Sequence, residues 1–286
     1  MMKIPPSKTK ETSIGLSQQR CLFAIVLSAL IMPLTTHADD DPRQAYEKAL
    51  QANWQETFHD DGTNDWQDKW FLDGLKATVN NDEEGMYYSA GPIARDDASH
   101  AVLWTQQSFS GDVKLEFSFT RFDTINKWVC IVYLQATGTG EAPYSKDIYQ
   151  WRQLRDIPFM SSYFKHMNLL HVTFSAYNNV DGNHVDESYI RVRRYPSTLY
   201  NDGFKGMALT PDYLDTGLFH PGEPNHVTLI KKGDDLFMNV RQGNEEKLFH
   251  WDLSQKPPVT EGRIGLRHMY QRAGRYSNIS ICEIAP

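Results

Sequence analysis

Three strand-like runs carry side chains whose types suit proton abstraction beside a carboxylate. Leu170, Val172, Phe174 and Ala176 alternate with His171, Thr173, Ser175 and Tyr177, and Ile190 and Val192 alternate with Arg191, Arg193 and Tyr195. In a third run, Tyr133 and Gln135 stand out of phase with Val132 and Leu134. Successive strand side chains point to opposite faces, so if the runs share a sheet, Gln135, His171, Arg193 and Tyr195 are expected on one concave surface. A neutral histidine, with an ordinary pKa of roughly 6.5, suits the role of base. An arginine beside a tyrosine suits bidentate capture of a carboxylate. That set is the minimum for β-elimination from a uronate: a group that neutralises the acid, and a His or Tyr that takes a ring proton and returns one to the leaving oxygen.

His166, beside Asn168, is a second candidate base, and Tyr195 a candidate proton carrier. The candidate binding set is Gln135, Arg193, Asn168, Tyr144, Trp151, Arg152 and Arg267. Three of these fall in Tyr144–Arg155, where Tyr144, Tyr149 and Trp151 sit among Lys146, Arg152 and Arg155, the composition of a loop at a groove edge. Two other classes compete with a lyase. A retaining glucanase needs paired carboxylates about 5 Å apart on one face, but the E-x-D-x-x-E pattern is absent. A hydrolase would therefore have to draw carboxylates from separate strands, such as Glu116 with Asp147 or Asp156. The third class is a non-catalytic carbohydrate-binding protein.

Short strands must position these residues. Val113, Leu115, Phe117 and Phe119 alternate with polar neighbours, and Trp128–Ala136 is apolar on both faces, as in a central strand whose second face lines a groove. Further strands are expected at His226–Lys231, Leu236–Gln242, Lys247–Trp251, Arg263–Met269 and Tyr276–Ile284, with Gly, Asn, Asp and Pro between. No blade-length repeat appears, so the pattern predicts an all-β jelly-roll sandwich of two curved antiparallel sheets over residues 54–286. One helix is expected before it: Asp41-Pro42 opens an amphipathic stretch from Asp41 to Asn53, within a short N-terminal segment 39–53.

Residues 1–38 read as a signal peptide. Lys3, Lys8, Lys10 and Arg20 precede a 13-residue apolar run, Leu22–Leu34, and Thr36 and Ala38 are the small residues that favour cleavage after Ala38. A periplasmic or secreted monomer, without a membrane partner once cleaved, is expected. Cys130 and Cys282 remain, either as a pair closing a long loop or as plain core residues. The 286-residue chain has 29 Lys+Arg against 36 Asp+Glu, which argues against nucleic acid as a partner. Its 14 Tyr, 14 Phe and 7 Trp exceed what a core needs, and such rings stack on sugar faces. The expected partner is thus a polysaccharide or oligosaccharide. No cofactor is expected. Asp61, Thr63 and Asp65, and separately Asp181 with Asn183, could lend oxygens to a structural Ca²⁺, although neither run completes a binding loop.

Gly262-Arg263-Ile264-Gly265-Leu266-Arg267, followed by Arg275-Tyr276-Ser277-Asn278-Ile279, resembles the closing strands of concanavalin A-like lectin/glucanase sandwiches. Lys69-Trp70-Phe71-Leu72-Asp73-Gly74, His100-Ala101-Val102-Leu103-Trp104, Tyr163-Phe164-Lys165-His166-Met167-Asn168 and Arg193-Arg194-Tyr195 resemble a narrower bacterial group, the YesU-like domains of unknown function. The resemblance covers most of residues 54–283 and implies the sandwich fold and a place in the use of uronate-containing glycans. It implies no catalytic residue. Tyr163-Phe164-Lys165 also matches the YFK of alginate lyases on the same fold. Their RTELR and QIH motifs are missing, however, and His166-Met167-Asn168 replaces the glycine and the downstream Tyr and Gln of those enzymes.

Overall fold

The structure, a computed structural model, describes residues 41–177 and 188–284. The expected signal peptide and the Asp181–Asn183 pair lie outside them. Asp41 caps α1 (Pro42–Leu50), its carboxylate accepting from Arg43 N at 3.1 Å with Pro42 in the first turn. The helix stops three residues short of the expected Asn53, because Gln51 already closes its last turn on the Glu47 and Ala49 carbonyls.

Strands come almost without interruption: β1 (Trp54–Asp60), β2 (Trp70–Asp73), β3 (Thr78–Asp82), β4 (Gly85–Ser89), β5 (Ala101–Ser110), β6 (Val113–Arg121) and β7 (Trp128–Gly138). After α2 (Met160–His166) come β8 (Met167–Tyr177), β9 (Ser188–Tyr195), β10 (Ala208–Leu214), β11 (Pro224–Lys232), β12 (Asp235–Gln242), β13 (Glu245–Asp252), β14 (Glu261–His268) and β15 (Ala273–Ile284). One sheet has the order β13-β12-β11-β6-β15-β4-β3, with β1 also on β15. The other runs β10-β9-β8-β7-β14-β5-β2. The ladders are antiparallel throughout, so the protein is the expected jelly-roll sandwich.

Burial alternates along β6 as the sequence requires, inward at Val113, Leu115, Phe117, Phe119 and Arg121 and half-exposed between. The four apolar side chains meet Val132, Leu134, Leu170, Val172 and Phe174 of the opposite sheet in the main core. Cys130 faces that core, while Cys282 lies on β15 beside Ser280 Oγ at 3.8 Å, and the two thiols are unpaired.

The other face of the β7–β8–β9 sheet is not an open groove. A 3₁₀ segment, Ile148–Arg155, and α2 lie across it, and Trp104, Ile131, Tyr133, Ile148, Trp151, Tyr163, Leu169 and Tyr195 form a second core there. Double-sided apolarity of Trp128–Ala136 therefore reflects two buried faces.

Two of the bulges that interrupt the strand alternation bear on the candidate residues. Gln135 (φ 52°) shifts the register between Leu134 and Thr137, and Ser175 (φ 43°) shifts it between Thr173 and Ala176. After each bulge the parity reverses, so Ala136 and Ala176, not Gln135 and Ser175, join the second core. Gly262 of β14 allows the first bulge: its φ is 140°, and a Cβ there would sit 2.4 Å from the Gln135 carbonyl carbon. Gly262→Ala is expected to destabilise the fold by at least about 2 kcal/mol, from strain plus backbone displacement. Urea denaturation checks this, and an unchanged midpoint would show that the bulge yields freely.

Candidate functional site

Three of the four residues expected on one face do share it. Tyr133, His171 and Arg193 are Cα neighbours across β7, β8 and β9, and Tyr195 Oη lies 2.6 Å from His171 Nδ1. Gln135 is the exception. Its bulge turns the amide toward the end of the sandwich, where Nε2 donates to the Phe109 and Gly111 carbonyls at 3.2 and 3.1 Å.

The shared face is sealed. His171 is 2% exposed, and its Nε2 lies 2.6 Å from Thr173 Oγ1, so both ring nitrogens are taken within the protein. Burial, seconded by the Arg193 and Arg267 charges, holds its pKa well below the usual histidine range. Burial likewise drives the Tyr195 hydroxyl well above its ordinary value. Arg267 is fully buried, donates to Pro158 O at 2.7 Å, and lies 4.5 Å from the Tyr163 ring centre. Arg193 is half-buried at the margin, 4.8 Å from the Phe204 ring centre, with no hydrogen bond or ion pair to a described residue.

A carboxylate pins the cover. Asp73, at the end of β2, accepts from Arg155 Nε at 2.6 Å, Trp104 Nε1 at 2.8 Å and Tyr163 Oη at 2.9 Å. Trp104, Tyr133 and Tyr163 lie nearly parallel, with interplanar angles of 10–13°.

The remaining candidates are placed elsewhere. His166, at the end of α2, stacks on Tyr144 at 3.7 Å between ring centres, and burial lowers its pKa. Trp151 is buried and donates to Ser145 O at 2.9 Å, whereas Arg152 lies over the Tyr149 ring at 4.0 Å. Asn168 Oδ1 accepts from Arg194 Nη2 at 2.6 Å. Of the residues named for the alternative hydrolase, Glu116 sits on β6 with Lys114 and Thr228, in one sheet, while Asp147 pairs with Arg263 of the other. Asp61 and Asp65 make turns, accepting from Thr63 N and Gln67 N, and no group of three or more His, Cys, Asp or Glu able to hold a metal occurs among the described residues.

An open site lies at the edge of the second sheet. Trp66, Gln67, Trp70, Phe71, Leu72, Gln106, Tyr149 and Arg263 line a pocket of about 600 Å³. Asp65 caps the turn that carries Trp66 and Gln67; edge strand β2 brings Phe71, and the 3₁₀ segment lays Tyr149 across Phe71 edge-to-face at 5.0 Å. Arg263 is fixed by Asp147 Oδ1 at 3.0 Å and the Thr105 and Gln106 carbonyls, 5.5 Å from the Phe71 ring centre. Gln106 Nε2 donates to Gln67 O at 2.7 Å, while Gln106 Oε1 and the Gln67 amide are engaged by no described residue. Aromatic rings, the Gln106 Oε1 acceptor and a charge-balanced arginine suit a ligand with flat apolar patches and many hydroxyls. Trp66 and Gln106 were not expected from sequence; the Asp-Trp-Gln-Asp turn preceding an edge strand is the signal that could have marked Trp66.

No protein-family model and no curated protein matches the chain. Among solved structures it is similar to a protein of unknown function with a galectin-like fold from Bacillus subtilis, at 17% identity and a TM-score of 0.61, covering 80% of this chain and 97% of that one. It is also similar to lectin II from Ulex europaeus (12% identity, TM-score 0.52, covering 79% and 98%) and to lectin UEA-II complexed with galactose (12%, 0.51, 79% and 98%). The chain therefore has the concanavalin A-like sandwich fold seen in galectin-like and legume-lectin structures. Within that class, its fold is similar in particular to that of the Bacillus protein of unknown function.

Proposed function

We propose that this is a secreted carbohydrate-binding protein that holds a glycan in the edge pocket formed by Trp66, Phe71 and Tyr149. The pocket carries the reading: there the exposed Tyr149 ring and the half-buried Trp66 converge over Phe71, with the Gln106 Oε1 acceptor, beside an arginine already neutralised by Asp147. The fold supports it, since the similar structures include a lectin complexed with galactose. The signal-like segment supports export, and the resemblance to the YesU-like group supports a role in the use of uronate-containing glycans. Elimination chemistry has less support, because His171 and Tyr195 hydrogen-bond one another behind a closed cover.

Gel retardation and calorimetry against a panel of neutral and acidic polysaccharides test this. Binding is expected without product, and Trp66→Ala or Tyr149→Ala should weaken it by about 2 kcal/mol, roughly thirtyfold, the loss typical of an aromatic anchor. Accumulation of unsaturated uronates, seen by their ultraviolet absorbance, would replace binding by a lyase. Undiminished affinity in both variants would remove the pocket.

A further inference from the structure

A second cavity, of about 170 Å³, opens between the two sheets at the end of the sandwich where Lys231 and Arg194 approach. Its walls are of two kinds. Leu170, Leu253, Pro257 and Val259 are apolar, and Arg194, Lys231 and Lys256 bring three cations. Arg194 is 2% exposed, with Nε on Pro257 O at 2.7 Å and Nη2 on Asn168 Oδ1 and Pro258 O, yet its Nη1 is buried with no partner. Lys231, 5% exposed, uses one N–H on the Gly111 carbonyl at 2.8 Å and keeps two more donors. Lys256 Nζ donates to Gly206 O and lies 4.7 Å from the Tyr200 ring centre.

The acids nearby do not balance these charges. Asp234 lines the cavity and Asp112 accepts from Gly233 N, but no ion pair joins either to Arg194, Lys231 or Lys256. A buried guanidinium held by carbonyls and an amide, and by no carboxylate, is costly unless an anion completes it. Burial lowers the pKa of all three cations, Arg194 to about 10, and at Lys231 the Asp112 charge offsets this only in part. The space exceeds that of a bare ion or two waters, and the apolar wall would accept a ring face.

We infer that this inter-sheet cavity is a separate binding site for a sugar acid, its carboxylate on Arg194 Nη1 and Lys231 Nζ and its ring against Leu170 and Val259. The site does not depend on the edge pocket, and its ligand is distinguished from a neutral sugar by charge alone.

Calorimetric titration of the whole protein with galacturonate, galactose and inorganic sulfate is the test. Galacturonate is expected to bind and galactose at this site not to, and Arg194→Met should weaken galacturonate roughly tenfold or more, the loss of a charge-assisted bond. Lys231→Met should do the same and serves if Arg194→Met does not fold. In the Trp66→Ala background, Arg194→Met should still weaken galacturonate by the same factor, which separates this site from the edge pocket. Galacturonate bound no better than galactose, or bound equally by both cation variants, would overturn the assignment. Sulfate bound as tightly as galacturonate would overturn it too, by removing any role for the ring.

Discussion

Asp73→Ala is expected to destabilise the protein by about 3–5 kcal/mol, a large part of the about 5–15 kcal/mol that holds a domain together. The carboxylate is 2% exposed and takes donors from three elements at once: Arg155 of the 3₁₀ segment, Trp104 of β5 and Tyr163 of α2. Removing it strands the fully buried Arg155 guanidinium, which keeps only the Ile148 and Trp151 carbonyls. The energy lies in the orphaned charge more than in the lost attraction, so replacing both partners by apolar residues, Asp73→Leu with Arg155→Met, should recover much of the loss. Urea denaturation of the two single variants and the double variant measures this. A loss below about 1 kcal/mol for Asp73→Ala, or a double variant worse than either single one, would show that the cover is held by its rings and not by the carboxylate.

Acid should unfold this protein through its histidines. His100, His171 and His268 are at most 2% exposed. Burial is the leading cause that lowers each, to about 2 for His100 and about 3 for His268, and well below the ordinary value for His171. The folded state keeps all three neutral while the unfolded chain protonates them from roughly pH 6.5 downward. The unfolded state therefore binds more protons, and stability falls as pH falls, by about 1.4 kcal/mol per pH unit for each group and about 4 kcal/mol per unit for three. The loss begins near pH 6.5 and continues toward pH 3. Denaturant unfolding at pH 7, 6 and 5 should show it, and His171→Gln should make the slope shallower by about a third. A flat profile across that range would mean that the three rings take up protons without unfolding.

The sequence disclosed period and hid curvature. Alternation along Val113–Arg121 is carried by side-chain type, because one face meets Phe174 and its neighbours and the other does not, and it transfers directly to the burial of β6. A bulge has no such signature when a non-glycine residue adopts positive φ. Nothing in Leu134-Gln135-Ala136 announces the 52° at Gln135, so parity placed its side chain on the wrong side of the sheet. The filled face was half legible. Tyr133, His171 and Tyr195 have polar atoms that could face water or each other, and only the fold of 148–166 over them, fixed by the distant Asp73, decides between the two. Trp66 and Gln106 were missed because they belong to a turn and a strand 40 residues apart, brought together by Gln106 hydrogen bonds to the Gln67, Lys69 and Trp70 carbonyls.

The cover over β7 and β8 divides the molecule into parts with different freedom to drift. With packed layers on both sides, the central strands leave no face on which a substitution escapes the interior, and each must satisfy two cores at once. The edge pocket is built from the opposite material: a capped turn, strand β2 with one ladder partner, and a ring from the 3₁₀ segment. Residues there, Gln67 and Gln106 above all, can be exchanged at little expense to the fold. A lineage using this scaffold could thus change what it recognises by rewriting one rim, while the middle of the second sheet stays fixed in size, shape and hydrogen bonding.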